Sequence, residues 1–442
     1  MAAELWQLNA AELVEGYRGG VFTPVDALEA CLARVAHCQP MLNAFVYLGH
    51  DSAMADARKS SKRWAANAPL GPLDGVPVSV KDNLHVAAWP TSWGSREWLH
   101  FTAQQDERPV ARLRASGAVM FGKTNLPEFA MQGYTFNDVF GLTRNPWDLA
   151  RSPGGSSGGA AAAVASGCGP LALVTDGGGS TRRPASHCGL VGFKPSAGLV
   201  ARGGGVPELF LHFETPGAIA RTVNDAAALM GALAERTLSS KAVRGARILF
   251  VPRFAAHPVD AGISANVHSA ARQFEVMGHH VDEAKVFDIA EEINTMWPTL
   301  SEAGLLRLRG DDATARSLLE ALSAAVESLE RRLNSVFVEY DFILTPCTAA
   351  LPWSVEETHP SHIDGHAVGP RAHAVFTAFA NAGGLPAVAL PSGFVGECPT
   401  GIQLVGRRGS DAALLEVARA FEAAQPWADI WPPSSVHRES DK

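Results

Sequence analysis

The chain has 442 residues, 47% of them hydrophobic, which is enough apolar material for a large buried core. Its formal net charge is −8, from 37 basic and 45 acidic side chains without long like-charged blocks, so the basic surface of a nucleic-acid-binding protein is not expected. This composition favours a small molecule as the binding partner.

The N-terminal stretch MAAELWQLNAAELVEGY carries three acids and lacks a basic region followed by an apolar core, so it is not typical of a signal peptide. The uncharged stretch at residues 158–175 is rich in Ala and Gly and broken by Pro170, which predicts a buried helix and a strand rather than a membrane span. We therefore expect a cytoplasmic protein without membrane association. No CxxC pair occurs, so reduced, mostly buried thiols are expected at Cys31, Cys38, Cys168, Cys188, Cys347 and Cys398.

The first predicted elements are helices. Thr23 is typical of a helix N-cap and Pro24 of the first helical position, and apolar residues recur at helical spacing through VDALEACLARVAHC. We expect an N-terminal helical layer over about residues 1–70.

From Gly75 onward, strands and helices alternate. GVPVSVKDN and ARLRASGAVMFGKTN place short β-branched runs after helical stretches, and a block dense in glycine follows over residues 153–205. Further strands are predicted in ARILFVPRF, HHVDEAKVF, YDFILTPCTAALPW, GGLPAVALPSG and GIQLVGRR, with helices over about residues 288–338 and in SDAALLEVARAFEAA. Since the chain has no internal repeat and no linker-like segment, we expect a single α/β domain over residues 1–442.

Two short motifs lack the context that their usual functions require. GAVMFGKT, residues 117–124, matches the phosphate-binding pattern GxxxxGK[ST], but residues 118–121 predict the strand itself and not a loop after it. GGSSG, residues 154–158, matches the nucleophile pattern GxSxG, but TRNPWDLARSP before it predicts a loop and not a strand. Neither nucleotide binding nor that nucleophile turn is therefore expected.

A longer pattern resembles the amidase signature family. GVPVSVKDN at residues 75–83 and GGSSGGAAAAVASGCGPLALVTDGGGSTRRPASHCGLVGFKPS at residues 154–196 carry the resemblance. GAVMFGKTNLPEFAM, TRNPWD, YDFILTPCTA, GGLPAVALPSG and GIQLVGRR extend it in unchanged order from about residue 43 to residue 425. The resemblance implies one domain with a large mixed β-sheet covered by helices on both faces. It also implies a signature core at about residues 71–225 and a variable substrate-loop region at about residues 237–373.

The resemblance further implies hydrolysis of a carbon–nitrogen bond by two serines and a lysine, without a metal or a cofactor. By motif position, the nucleophile is Ser180, the bridging residue in a cis peptide is Ser156 and the base is Lys81. The oxyanion hole falls on the backbone N–H groups of Gly177, Gly178, Gly179 and Ser180, and the supporting residues are Ser157, Asp176 and Arg182.

The residue types fit this chemistry on their own. A lysine accepts a proton only when neutral, and lowering its pKa from about 10.4 to about 7 destabilises the ammonium by roughly 4.6 kcal/mol, which burial and a nearby arginine can supply. Three consecutive glycines before Ser180 allow the backbone to approach a reacting carbonyl closely. Each residue alone also has a surface, cap or turn interpretation, but their joint occurrence in this order favours the catalytic one.

The sequence departs from the family pattern at Val174, Gly177 and Thr181. Gly177 stands where a larger residue is common and predicts a wider pocket floor, from which we expect a preference for apolar or aromatic amides, with carbamates and esters also accepted. For Arg183, a salt bridge to a surface carboxylate is favoured over contact with an acidic substrate group, because charged residues are mostly exposed. The candidate substrate contacts are Met131, Gln132, Tyr134 and Arg183, with Phe136 and Trp297 as further aromatic loop residues.

Two alternatives to a stand-alone amidase stay open at this point. One is the amidase subunit of a tRNA-dependent glutamyl or aspartyl amidotransferase, which delivers ammonia to a partner; the other is a non-catalytic binding protein on the same scaffold. A homodimer is also left open. The region 359–373 predicts a loop, and no metal site is expected there because no carboxylate or cysteine lies at zinc-motif spacing from its histidines, His359, His362, His366 and His373.

Overall fold

An eleven-stranded mixed sheet forms the centre of the computed structural model, which describes residues 4–207 and 209–433. The strands, in chain order, are β1 (Phe45–Leu48), β2 (Pro77–Lys81), β3 (Val119–Thr124), β4 (Phe136–Asn137), β5 (Gly141–Leu142), β6 (Leu171–Asp176), β7 (Val191–Lys194), β8 (Thr215–Ala220), β9 (Arg247–Phe250), β10 (His280–Glu283), β11 (Phe342–Pro346), β12 (His362–Ile363), β13 (His366–Ala367), β14 (Ala387–Val395) and β15 (Cys398–Gly406). The order across the sheet is β1-β3-β2-β6-β8-β7-β14-β15-β11-β9-β10. Strands β4 and β5, and strands β12 and β13, form two separate small ladders.

The sheet combines parallel and antiparallel ladders. Strand β2 pairs in parallel with β3 and β6, and β9 pairs in parallel with β10 and β11. The strands between these two groups pair antiparallel, from β6 through β8, β7, β14 and β15 to β11. The sheet is therefore the large mixed sheet that the resemblance to the amidase signature family implies.

Helices cover this sheet. They are α1 (Ala10–Arg18), α2 (Pro24–Leu42), α3 (His50–Ala65), α4 (Arg108–Ala115), α5 (Gly158–Ala165), α6 (Arg182–His187), α7 (Val223–Ala234), α8 (Ala261–Val276), α9 (Glu291–Leu308), α10 (Asp312–Glu339), α11 (Ala378–Ala382) and α12 (Asp411–Ala424). None of the helices in the described ranges is long and apolar enough to cross a bilayer.

The N-terminal helices begin and end where their sequence indicates. The side chain of Thr23 accepts a hydrogen bond from the N–H of Asp26, and Pro24 occupies the first position of α2. Asn43, with a φ of 49°, ends the helix in the left-handed conformation that asparagine tolerates. Leu28 and Val35 of this helix pack with Phe121 of β3, so the helical layer covers one end of the sheet.

The uncharged run at residues 158–175 forms the buried helix and strand that its composition predicts. Every residue of α5 is buried, and Ala160, Ala161 and Ala165 pack on β6 through Ala172 and Val174. Small side chains allow this close approach of helix and sheet. The arrangement places the start of α5 beside the carboxyl end of β6.

The GAVMFGKT motif and the cysteines both have the structure that the sequence predicts. The motif forms strand β3, which runs through Lys123 to Thr124, so it has no phosphate-binding loop. The ammonium of Lys123 is fully buried, lies 2.8 Å from a carboxylate oxygen of Asp82 and donates to the Pro90 carbonyl. All six cysteines are buried thiols without a disulfide.

Candidate active site

The carboxyl ends of β2 and β6 lie side by side in the sheet. These strands are parallel neighbours, with Val80 opposite Leu173, so Lys81 at the end of β2 lies next to Thr175. The glycine run leading to Ser180 directly follows β6. Polar residues distant in sequence therefore meet at one edge of the sheet.

Lys81 contacts the first of the two serines. Its Nζ atom lies 2.8 Å from Oγ of Ser156, and both residues are buried. The peptide bond between Gly155 and Ser156 is cis. Lys81 Nζ also lies 3.4 Å from Oγ1 of Thr175 and 3.5 Å from the Thr175 carbonyl oxygen, so its direct polar neighbours are neutral groups.

The hydroxyl of Ser180 donates to the carbonyl oxygen of Thr175 over 2.6 Å. The same carbonyl accepts a longer hydrogen bond, of 3.4 Å, from the hydroxyl of Ser157. Ser180 and Ser156 line the same cavity. The Thr175 carbonyl thus holds the Ser180 hydroxyl within the site that Lys81 and Ser156 share.

Burial lowers the pKa of Lys81 to about 7, because the ammonium is desolvated. The negative charges of Glu214 and Asp176 act in the opposite direction, and the positive charges of Arg202 and Arg183 add to the lowering. At neutral pH a large fraction of Lys81 is therefore unprotonated and able to accept a proton.

An ion pair between Asp176 and Arg182 braces the glycine run. Both side chains are fully buried, with the Nε and Nη2 atoms of Arg182 donating to the two carboxylate oxygens at 3.0 and 2.9 Å. Asn381 donates a further hydrogen bond of 2.9 Å to this carboxylate. Burial acts to raise the pKa of Asp176, but the charge and hydrogen bonds of Arg182, together with Asn381, hold it well below its usual range.

The backbone N–H groups of the glycine run have different roles. The N–H of Gly179 donates to Asp176 Oδ1 over 2.6 Å, so it is already engaged. Among the described residues, the N–H groups of Gly177, Gly178 and Ser180 have no backbone acceptor. Of the four N–H groups expected in the oxyanion hole, three are therefore available, and that of Gly179 orders the loop instead.

Two aromatic rings cover this loop. Their positions test the expectation that Gly177 widens the floor of the pocket. A Cβ atom added to Gly177 would lie 3.0 Å from the ring of Phe210, and one added to Gly178 would lie 2.3 Å from the ring of Trp297. The two rings stack with centroids 5.6 Å apart. The space that a larger residue at position 177 would occupy is thus taken by Phe210, and the argument for a wide floor does not hold.

A cavity of about 290 Å³ opens onto Ser180 and Ser156. Its apolar lining includes Met131, Phe210, Trp297 and Leu305, and its polar lining includes Gln132, Thr175, Arg183, Glu214, Arg371 and His373. Tyr134, expected as a substrate contact, does not line the cavity; its ring stacks on Phe136, 6.2 Å away. Met131, Gln132 and Arg183 do line it.

Arg183 does not lie at the surface, where the sequence predicts it. Its residue surface is only 6% exposed, and its Nη2 atom donates a long hydrogen bond, of 3.4 Å, to the carbonyl of Gly155. Its Nε and Nη1 atoms have no partner in the described parts of the chain. The expected salt bridge to a surface carboxylate is therefore wrong, because the side chain turns into the cavity.

The histidines of the region 359–373 lie in different environments. His362 and His366 lie on the exposed ladder of β12 and β13, whereas His373 is buried beside the cavity. In the ranges that the structure describes, no group of three or more His, Cys, Asp or Glu side chains is arranged to hold a metal ion.

Several residues at this site are not among those that the sequence motifs predict. Asn83 donates to Thr175 Oγ1 at 2.9 Å and to Glu214 Oε1 at 3.1 Å, and Arg202 pairs with the other oxygen of Glu214. Asn83 was within reach of sequence reasoning, since it closes the VSVKDN motif two residues after Lys81. Glu214 and Arg371 gave no such signal, because they come from segments without a recognised motif.

Comparisons with known proteins extend over nearly the whole chain. The family model Amidase matches residues 26–327 and 305–415. The chain is 33% identical to a glutamyl-tRNA(Gln) amidotransferase subunit of Symbiobacterium thermophilum, covering 94% of this chain and 96% of the relative. It is 32% identical to an acylamidase of Rhodococcus erythropolis, covering 97% and 98%. A crystal structure of a bacterial aryl acylamidase of the amidase signature family superposes with a TM-score of 0.84 at 29% identity, covering 96% and 97%.

Proposed function

The chain belongs to the amidase signature family, whose members are hydrolases acting on carbon–nitrogen bonds, and we propose that it is a stand-alone amidase that cleaves an amide bond of a small molecule. In this proposal Ser180 is the nucleophile, Ser156 carries the proton and Lys81 is the base.

The observation that carries the proposal is the 2.8 Å contact between Lys81 Nζ and Ser156 Oγ in a buried site. A lysine whose pKa is lowered to about 7 can take the proton of Ser156, which in turn takes that of Ser180. For this step the Ser180 hydroxyl leaves the Thr175 carbonyl and turns toward Ser156.

The reaction then proceeds through an acyl-enzyme. Ser180 Oγ attacks the amide carbonyl carbon, and the oxyanion receives hydrogen bonds from the N–H groups of Gly177, Gly178 and Ser180. The proton held by Lys81 returns through Ser156 to the leaving nitrogen as the carbon–nitrogen bond breaks. Water attacks the acyl-enzyme, passes a proton along the same route and releases the acid and Ser180. Because the proton can reach an alkoxide as well as an amine, esters and carbamates also fit this mechanism.

An amidotransferase subunit is the second candidate, since several relatives carry that name. A subunit that releases ammonia from glutamine has to accommodate the α-ammonium group of that amino acid. In the described lining of the cavity, Glu214 is the one carboxylate, and its two oxygens are already engaged by Asn83 and Arg202. Two arginines face the same cavity; they would attract the α-carboxylate of glutamine but repel its α-ammonium, for which no free carboxylate remains in the described lining. This charge distribution favours a substrate without an α-amino group.

The third interpretation, a non-catalytic binding protein, has no observation in its favour. A binding scaffold does not require a buried lysine in contact with Ser156 beside a loop of available N–H groups.

The proposal is tested with the purified chain alone, without any partner protein. We expect release of ammonia or amine from a panel that contains a primary amide, a nitroanilide, a phenyl carbamate and glutamine, with glutamine the poorest substrate. The Ser180→Ala variant serves as the matched control and should release none. Activity that requires a second protein, or a preference for glutamine, would overturn the stand-alone amidase in favour of the amidotransferase component.

A further inference from the structure

Arg183 holds a buried positive charge that makes no ion pair in the described structure, and Asp176, whose charge favours it, is already paired with Arg182. Its Nε and Nη1 atoms have no hydrogen-bond partner among the described residues, and its one hydrogen bond, to the Gly155 carbonyl, is 3.4 Å long. A guanidinium carries five N–H donors, so most of its donor capacity is unused. Burying a charge without a partner is costly, which is why buried cations normally contact an anion.

Arg371 brings a second guanidinium to the same cavity from a segment distant in sequence. It belongs to the His-, Gly- and Pro-rich region 359–373, and its Nη2 atom is buried without a partner in the described ranges. The guanidinium lies over the ring of Trp297, 4.6 Å from the centroid, and this contact fixes its position at the cavity wall.

The two guanidiniums are close enough to affect each other. Burial lowers the pKa of Arg371 to about 9, and the charge of Arg183 adds to this lowering. His373, which lines the same cavity, has its pKa lowered by burial and then by both arginines, so it is neutral, and neither of its ring nitrogens has a partner in the described structure. The cavity thus presents two cations and a neutral histidine. Its carboxylate, Glu214, is engaged by Asn83 and Arg202.

Building on the amidase function, we propose that Arg183 and Arg371 form a subsite for a carboxylate of the substrate, with His373 as a further hydrogen-bonding group. A carboxylate accepts paired hydrogen bonds from a guanidinium and would supply the missing counter-charge. The subsite adjoins the reacting groups, because Arg183 contacts the carbonyl of Gly155, the residue before Ser156. Since the cavity measures only about 290 Å³, at the small end for ligand pockets, the substrate is a short carboxylate-bearing amide.

The test compares pairs of amides that differ in one carboxylate. Succinamate is measured against butyramide for a carboxylate on the acyl side, and N-acetylglycine against N-ethylacetamide for one on the amine side, at constant ionic strength. Glutaramate against glutamine adds only the α-amino group. We expect kcat/KM to favour the carboxylate by about 10- to 100-fold in at least one of the first two pairs, which is the range for a charge-assisted hydrogen bond. The kcat/KM for glutaramate should exceed that for glutamine.

The variants Arg183→Gln and Arg371→Gln should each reduce the carboxylate preference by about 10-fold or more. Arg58→Gln, which changes an exposed arginine of α3, is the matched control and should keep the wild-type ratio. If Arg183→Gln does not fold, the kcat/KM ratios of the wild type and of Arg371→Gln still show whether the carboxylate subsite exists. Equal kcat/KM within both pairs in the wild type, or an unchanged ratio in the folded arginine variants, would overturn the subsite.

A binding measurement separates this inference from the proposed reaction. Succinate should raise the melting temperature of the wild type more than succinamide does, and this difference should disappear in Arg371→Gln. Hydrolysis of the neutral amides without a carboxylate preference would reject the subsite and leave the amidase intact. Stabilisation by succinate without hydrolysis of any amide or ester would support the subsite and reject the amidase.

Discussion

The Nζ atom of Lys81 lies 2.8 Å from the hydroxyl oxygen of Ser156, inside a buried site at the end of two parallel strands. This contact joins a lysine of lowered pKa to a hydroxyl that lines the cavity. The proposed reaction depends on the neutral form of the lysine, so its rate depends on pH.

Activity should rise as Lys81 loses its proton. Because burial lowers the pKa of this lysine to about 7, kcat/KM is expected to increase from about pH 6 to about pH 8 and then to level off. Lys81→Ala should reduce kcat/KM by about 10²–10⁴-fold, the usual contribution of a general base, and should remove the rise. The measurement is a pH profile with a neutral amide. An activity of Lys81→Ala within tenfold of the wild type, with the same profile, would show that the lysine is structural.

Glu214 should set the position of that profile. Its negative charge acts to raise the pKa of Lys81, so Glu214→Gln is expected to move the rise in kcat/KM to lower pH. The glutamine keeps an oxygen for the hydrogen bond from Asn83, which limits the structural change. The same pH profile measures the shift. A rise at unchanged or higher pH would contradict the assignment of Lys81 as the titrating base.

A methyl group at Gly178 should displace the loop that offers its N–H groups. A Cβ atom there would lie 2.3 Å from the ring of Trp297, so Gly178→Ala is expected to lower kcat by about 10²–10³-fold, as for the loss of one oxyanion donor. Gly369→Ala is the control, because nothing lies within 4 Å of the added atom. Replacing the ring in Gly178→Ala/Trp297→Leu should recover part of the rate. An active single variant would argue against a tightly packed oxyanion loop.

Lys123 should act in stability and not in nucleotide binding. Lys123→Ala leaves Asp82 as an unpaired buried charge, so the free energy of unfolding is expected to fall by about 3–5 kcal/mol. Lys59→Ala removes an exposed ion pair and should change it by less than about 1 kcal/mol. Urea unfolding measures the change in the free energy of unfolding for both variants. Calorimetry of the wild type with ATP and Mg²⁺ should show no heat of binding. A micromolar affinity for ATP that disappears in Lys123→Ala would reopen the phosphate-loop interpretation.

The sequence predicts the scaffold well where local signals agree with the fold. The Thr23 cap, the strand that ends at Lys81 and the small-residue helix after Ser157 all follow from local residue preferences, and the structure has them there. The resemblance to one family then assigns roles to Lys81, Ser156 and Ser180, which are distant in sequence and which the sheet brings together.

Other parts of the site depend on contacts without a local signal. A backbone carbonyl such as that of Thr175 has no side-chain signature, although it receives the Ser180 hydroxyl. Arg183 looks like a surface cation until Arg371, from a distant loop, is placed in the same cavity. The predicted effect of Gly177 on pocket size is wrong for the same reason, since Phe210 fills the space from another segment.

Active-site labelling tests the assignment of Ser180 as the covalent nucleophile, on which the proposed mechanism depends. Intact-mass measurement after treatment with a fluorophosphonate should show one adduct per wild-type chain, and peptide mapping should place it on Ser180. Ser156→Ala should be labelled more slowly, and Ser180→Ala should not be labelled. Full labelling of Ser180→Ala, or an adduct on another residue in the wild type, would contradict the proposed mechanism.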